Sequence, residues 1–416
     1  MVLKELAVIG SGISGLVAAH LLSRKYKVTL FESNDYLGGH TNTLSIQIDN
    51  QSYAIDTGFI VFNQKTYPNF CSLLKKLNVA IQPSEMSFSY HAVGKKLEYN
   101  GHSLNTLFSD RHNLINPYFY RFLIDILKFN YDAKKFIKQS PFMDISIQEF
   151  LDKHHYSENF TQSYLLPMIG SVWSKNKNDI LKCSAYFILK FYANHGLLDL
   201  VNRPPWYVIA QGSKSYIEPL VIPFKERIYL NTGIEAIDRH DSKVILHSKT
   251  QQFSFDSVVI ATHSDQALKL LSQPTQDEMN ILSAIRYTLH EVILHTDENV
   301  MPKRKRSWAS WNYLDRGNLK LSLTYYMNRL QSLKADQHFF VSLNLEEMID
   351  QKKIIKRIKY EHPCLDITAL NAQQQIALIN GKKNTYYVGS YWGYGFHEDG
   401  VKSALDTCRL LGVENV

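Results

Sequence analysis

Cysteine is scarce in this chain. Its 416 residues hold four, Cys71, Cys183, Cys364 and Cys408, and none stands in a CxxC pair. That spacing excludes a disulfide framework and a cysteine-rich metal centre, and it points to a reducing cytoplasm. Long apolar runs are also missing, so no stretch is expected to span a bilayer. The opening VLKELAVIGSGISGLVAAHLL comes nearest, but Glu5 stands early, three glycines break its middle, and SRKYK follows at once. It reads as strand, turn and helix, not as a secretion signal. Charge of one sign is modest. A net +7 is too diffuse to argue for nucleic acid.

What is present is ordinary in bulk and unusual in detail. Apolar residues make up 45% and charged residues 20%, as in soluble globular proteins. The length exceeds one hydrophobic core, so two or three domains are expected. Aromatics at 12% suit pockets for a flat or greasy ligand.

Residues 5–33 carry the strongest local pattern. Leu6-Ala7-Val8-Ile9 suits a strand buried on both faces. Gly10, Gly12 and Gly15 follow in G-x-G-x-x-G spacing, then helical periodicity from Ile13 and Ser14 onward, then a second strand ending in Glu32. Gly10 would make the tight turn and Gly12 would let a pyrophosphate approach the backbone. Gly15 would let helix and strand pack closely, and Glu32 would accept from ribose hydroxyls. These residues alone leave NAD(P) and FAD both open.

The next segments narrow the choice. Gly38-Gly39-His40 and Asp56-Thr57-Gly58-Phe59 follow in order. Together with the glycine loop they resemble the flavin-containing amine oxidase superfamily. Its members carry a double glycine after the ribose acid and a D-x-G segment beside the flavin. An arginine usually follows the doublet, where this chain has His40. The resemblance implies FAD, held along Gly38, Gly39, His40, Thr57, Gly58 and Phe59, with Ile234 in backbone contact with the adenine.

Near the C-terminus stands GSYWGYGFHEDG, residues 389–400. Tyr386-Tyr387-Val388 reads as a buried strand before it. A helix is expected from about Asp399-Gly400-Val401 to Leu411, with Gly412 as its stop. The resemblance makes this the flavin segment, with Gly389 and Phe396 at the cofactor and the amides of Gly400 and Val401 facing the isoalloxazine. Backbone N–H groups there would stabilise the negative charge that develops as the ring is reduced. Ser390 replaces the usual acid. No cysteine lies in this loop, so non-covalent FAD is expected.

The implied architecture is α/β. A Rossmann-like FAD-binding domain of glutathione-reductase type would comprise 1–66, 206–272 and 377–416. A discontinuous α+β substrate domain would comprise 67–205 and 273–376. The phrases LGGHTNT, NHGLL, WASWNY, YYMNRLQ and GFHEDGVKSA are similar to a bacterial family of predicted NAD/FAD-binding, amine-oxidase-like oxidoreductases. Its association with fatty-acyl-modifying enzymes implies a lipid substrate.

Amine oxidases usually place a lysine near flavin N5. The corresponding stretch, IRYTLHEVILHTD, holds His290 and His295 and no lysine. The expected chemistry is therefore hydride abstraction or desaturation on an apolar, fatty-acyl or lipid-like small molecule. An amine oxidase, a redox-neutral isomerase or mutase, and a non-enzymatic lipid carrier remain as alternatives. Candidate acid/base groups are His397, His290, His195 and Glu398. PKRKR (302–306) and the helical stretch NPYFYRFLIDILKFNYDAKKFIK suit peripheral contact with an anionic membrane face. A solvated loop and an ordinary core helix are the simpler reading of both.

Overall fold

Five short apolar segments, far apart in sequence, meet in one parallel sheet. Its order is Ile228–Tyr229, Lys27–Phe31, Glu5–Ile9, Ser257–Ile260, Thr385–Tyr387. The computed structural model describes residues 3–413 apart from 49, 95–96, 140–144 and 319. Strand alternation explains why the first strand is apolar throughout. Leu6 and Val8 pack under the helices Ile13–Leu22 and His397–Leu410, while Ala7 and Ile9 face the opposite layer. That layer is a three-stranded antiparallel sheet, Ile234–Arg239, Val244–Ser248 and Gln252–Phe255. Both faces are covered, as a parallel sheet requires.

The second body is a seven-stranded sheet. From one edge it runs Ile354–Cys364, Arg286–His295, Phe340–Leu343, Leu323–Tyr326, Trp311–Asp315, Phe88–Ala92, Glu98–Asn100. All neighbours are antiparallel except Trp311–Asp315 against Phe88–Ala92. Helices Pro117–Gln139, Leu166–Trp173 and Ala185–Asn194 share a core with it, built on side chains such as Tyr90, Tyr99, Phe122 and Leu189. A small sheet of Phe62–Asn63, Trp206–Ile209 and Ile81–Ser84 ties distant segments together.

The stretches SFSYHAV, HEVILH, LSLTYY and HFFVSLN, apolar or alternating in pattern, all form strands. The C-terminal helix differs. It begins at His397, two residues before the expected start, because Asp399 reaches back to accept from Phe396 N at 2.9 Å. An acid at the third helical position caps the residue before the helix, so Asp399 marks the first turn and not the start.

Candidate functional site

A cavity of about 1380 Å³ is walled by both bodies. A single small-molecule site typically occupies roughly 300–1,000 Å³, so there is room for a cofactor and a second ligand. Its wall includes the glycine loop from Gly10 to Ser14, Glu32 and Ile234. It continues along Gly38, Gly39, His40, Gly58 and Phe59, and takes in Gly389 and Phe396.

The glycine loop is built by close approach. Gly10 has φ +100°, and a Cβ there would lie 2.9 Å from Ala261 O. A Cβ on Gly15 would overlap Gly10 O, so Gly15 serves helix-to-strand packing and does not itself line the wall. Gly12 is the contrast. It has ordinary backbone angles, and nothing of the protein lies within 4 Å of its Cβ direction. The room kept bare there faces the cavity. Glu32 is buried and anchored at both oxygens, by Ser11 N at 2.9 Å and Ser11 Oγ at 2.5 Å on one and by Asn34 N at 2.9 Å and Asn34 Nδ2 at 2.8 Å on the other. A carboxylate offers about four acceptor positions, so the anchoring holds Glu32 in place and a ribose hydroxyl would share its oxygens.

Segments 38–42 and 56–59 cross closely beside this loop. Phe59 N donates to His40 O at 2.8 Å and Thr57 N to Asn42 O at 3.0 Å. A Cβ on Gly58 would overlap His40 O, which explains the glycine. Thr57 is turned inward, its Oγ1 3.0 Å from Asn42 O and 3.1 Å from the Tyr360 hydroxyl, and it does not line the cavity. His40 Nε2 is shut off from solvent and has no protein partner. Burial, with His263 nearby, pushes this imidazole down to about 4, so it is neutral. An orphaned ring nitrogen, a bare Gly12 and an anchored acid are what a dinucleotide would complete. The residues present therefore fit FAD.

In the C-terminal segment, a Cβ on Gly389 would overlap the Tyr391 ring, so the glycine admits that aromatic. Gln373 Nε2 donates to Tyr391 O and Gly393 O, each at 2.8 Å, and Trp173 Nε1 donates to Tyr394 O at 3.1 Å. These bonds fix the loop against both bodies. Gly400 and Val401 require correction. They lie a turn inside the helix, away from the wall, and Gly400 N already donates to Phe396 O at 3.1 Å. Gly400 is a packing residue: its Cβ would lie 2.7 Å from Ser14 Oγ and 2.8 Å from Ile13 Cγ2. Val401 is fully buried in the core under the parallel sheet. The amides that open the helix belong to residues 397–399.

The expected acid/base residues separate. Glu398 is not in the wall. Its carboxylate accepts from Asn69 N at 3.1 Å, Asn69 Nδ2 at 2.6 Å and Phe70 N at 2.9 Å. It caps helix Pro68–Lys76, whose own N-cap residue Tyr67 makes no side-chain bond. His290 is also outside the wall, buried on the second sheet with its ring 5.2 Å from His362. His397 does line the cavity, but its ring stacks on Phe59 at 3.5 Å. Its Nε2 lies 3.0 Å from Thr41 Oγ1 and 3.3 Å from Tyr216 Oη. Burial holds it well below the ordinary histidine range.

His195 is placed differently. It lines the cavity, stacks on Phe191 at 3.7 Å, and its Nδ1 lies 2.9 Å from Phe191 O. A carbonyl only accepts, so Nδ1 carries the hydrogen and Nε2 keeps its lone pair. Burial pushes the group down to about 4. Sequence reasoning passed over Tyr360 and His362 altogether. They alternate along edge strand Ile354–Cys364 and line the wall, with Tyr360 stacked on His40 at 4.6 Å. Their two-residue spacing was the available signal. The meeting of distant segments, which sequence does not give, brings them to His40. Among the described residues the wall's lysines are Lys269 and Lys359, both exposed, and neither belongs to strand Arg286–His295.

The model of the flavin containing amine oxidoreductase family matches residues 13–335. The chain belongs to this family. It accordingly has the amine-oxidase-like, FAD-binding fold. A 1-hydroxycarotenoid 3,4-desaturase of Flavobacterium sp. (strain P99-3) is 25% identical over 249 residues, 56% of this chain and 44% of that protein. The chain thus matches less than half the length of that relative. Among solved structures, cyclohexylamine oxidase from Brevibacterium oxydans IH-35A superposes with a TM-score of 0.69 at 14% identity, covering 98% of this chain and 99% of its own. A CLA-producing fatty acid isomerase from P. acnes gives 0.68 at 16% identity, covering 98% of each chain. Both likenesses describe the fold.

Proposed function

We propose that the enzyme removes a hydride from a C–H bond of an apolar, acyl or lipid-like molecule, leaving a double bond. One observation carries this reading: the cavity that begins at the glycine loop continues into a helical wall of Leu123, Ile126, Tyr164, Met168 and Val172 that holds no acid. The wall's acids, among the described residues, are Glu32 at the glycine loop and Glu361 on the edge strand. A protonated amine entering the helical part would meet no counter-charge, and its desolvation would go uncompensated. An aliphatic chain would be desolvated favourably, by about 0.8 kcal/mol per buried methylene.

Non-covalently bound FAD supplies the hydride acceptor. Gly12 would leave room for the pyrophosphate, Glu32 would take the ribose, and the amides opening helix His397–Leu410 would face the flavin ring, where a helix N-terminus favours negative charge. Tyr394, Phe396 and Trp173 wall the reacting end and exclude water. Forming a double bond also releases a proton from the neighbouring carbon. His195 Nε2, neutral and unprotonated, is the acceptor we assign. Arg203, in the irregular stretch after helix Ala185–Asn194, lines the cavity and stands exposed, with its Nε donating to Asp199 O at 2.7 Å, and suits an acyl carboxylate or phosphate headgroup. The names of two relatives, a carotenoid desaturase and a fatty acid isomerase, agree with an apolar substrate.

The test is anaerobic. Holoprotein mixed with a lipid extract should lose its oxidised-flavin absorption, and mixed with simple amines should keep it. Bleaching by amines alone would overturn the substrate class, and a colourless protein that fails to take up FAD would overturn the enzyme.

A further inference from the structure

One helix serves both the cavity and the outer surface. In Pro117–Gln139, Phe119, Phe122, Phe129 and Ala133 are buried against the core. Tyr120, Ile124, Leu127 and Tyr131 recur on the other side at positions i, i+4, i+7 and i+11, the last three 58%, 52% and 68% exposed. That spacing draws a single apolar stripe along solvent. Leu127 belongs to this stripe and also lines the cavity, as does exposed Leu200, whose neighbour Asp199 is bonded to Lys134 of the helix. Ile115, just before the helix, and Tyr118, in its first turn, are 84% and 81% exposed. A continuous apolar face of this kind, rimmed by polar residues, marks an interaction site.

Among the described residues of this segment the exposed Arg, Lys, Asp and Glu side chains are all basic. Arg111, Arg121, Lys128, Lys135 and Lys138 are exposed. The acids of the same segment, Asp110, Asp125 and Asp132, are buried or half-buried and bonded within the protein, to His112, Ser157 N and the Tyr156 hydroxyl. The basic run 302–306 joins this rim, since Arg304 reaches Asp110 at 3.2 Å. Among the described residues no helix is long and apolar enough to cross a membrane.

We propose that this face docks onto the surface of an anionic phospholipid bilayer and admits substrate from the lipid between Leu127 and Leu200. Tyrosines and branched aliphatics beside exposed lysines and arginines suit the boundary between headgroups and acyl chains. Each cation near an anionic leaflet adds to the attraction. A second copy of the chain is the weaker occupant, because a symmetric contact would bring the two basic rims together. The entry route rests on the apolar-substrate reading; the docking does not.

The test uses FAD-loaded full-length protein and flotation with vesicles of phosphatidylcholine, with and without phosphatidylglycerol. The wild type should float with the phosphatidylglycerol vesicles. Ile124→Asp combined with Tyr131→Asp should weaken that partition on the order of 100-fold, with circular dichroism and flavin absorption unchanged. Lys135→Glu combined with Lys138→Glu should weaken it only where phosphatidylglycerol is present. None of these four side chains lines the cavity, so turnover of detergent-dispersed lipid should persist. A wild type that stays unfloated, or variants that float like it, would overturn the proposal. So would a wild-type dimer that the Ile124/Tyr131 variant dissociates without any vesicle binding. Flotation can fail while anaerobic flavin reduction succeeds, and the reverse, so the two claims fall separately.

Discussion

Three glycines of one motif do different work, and single methyl groups distinguish them. Gly15→Ala forces a Cβ into Gly10 O, so it should lower the unfolding midpoint sharply even without FAD. Gly12→Ala meets no protein atom within 4 Å. It should leave the apoprotein's midpoint unchanged within about 0.5 kcal/mol and weaken FAD binding at least about tenfold, read by fluorescence titration. Equal effects of both substitutions on apoprotein stability would contradict the assignment. His195→Ala should cut kcat far more than KM if Nε2 takes the proton. Because burial holds that imidazole near 4, activity should fall with acid only as pH drops towards 4 and stay level from 6 upward. At this scale the sequence was legible where a residue acts on its own loop, as Gly15 does against Gly10 O. Gly400 was not legible: its reason is the Ser14 side chain, which only folding brings near.

At the scale of elements, the C-terminal helix is held by reciprocal capping. Glu398 satisfies the first amides of helix Pro68–Lys76, and Asp399 satisfies the residue preceding its own helix. Glu398→Ala should cost about 1–2 kcal/mol in urea denaturation and leave the flavin spectrum and turnover nearly intact. A large kcat loss without a stability loss would restore Glu398 as an acid/base residue. Strands were easy to read, because apolar runs and alternation report burial directly. The helix start was misread by two residues because His-Glu-Asp fits a cap and a first turn equally well. The partner of Glu398 lies in another helix, at Asn69 and Phe70, and no local pattern announces it. His40 and His362 of the cavity wall share that difficulty, since loop crossing brings His40 to Tyr360 and strand pairing sets His362 beside the buried His290.

Over the whole molecule, the buried histidines set the response to pH. His40, His91, His195 and His295 are each held down to about 4 by burial, against about 6.5 unfolded. A depressed value means the unfolded chain binds more protons between those limits, so these groups stabilise the fold above 6.5 and lose that contribution as pH falls through 4. Asp56 and Asp399, raised to about 6 by burial, act oppositely and lose their contribution as pH rises through 6. The four histidines outweigh the two acids. Unfolding free energy measured in urea should therefore drop by several kcal/mol, to order of magnitude, between pH 6.5 and 4. A flat profile would contradict neutral burial of the histidines.

The same scale holds the functional claim, since one cavity takes its glycine-loop wall from the parallel-sheet body and its helical wall from the other body. It is tested most directly by one anaerobic turnover on the lipid that bleaches the flavin, with the lipid then recovered for mass spectrometry. The expected result is loss of flavin absorption matched mole for mole by a lipid lighter by two hydrogens. A lipid of unchanged mass with its double bond moved, beside flavin that ends oxidised, would contradict net hydride removal and make the enzyme an isomerase.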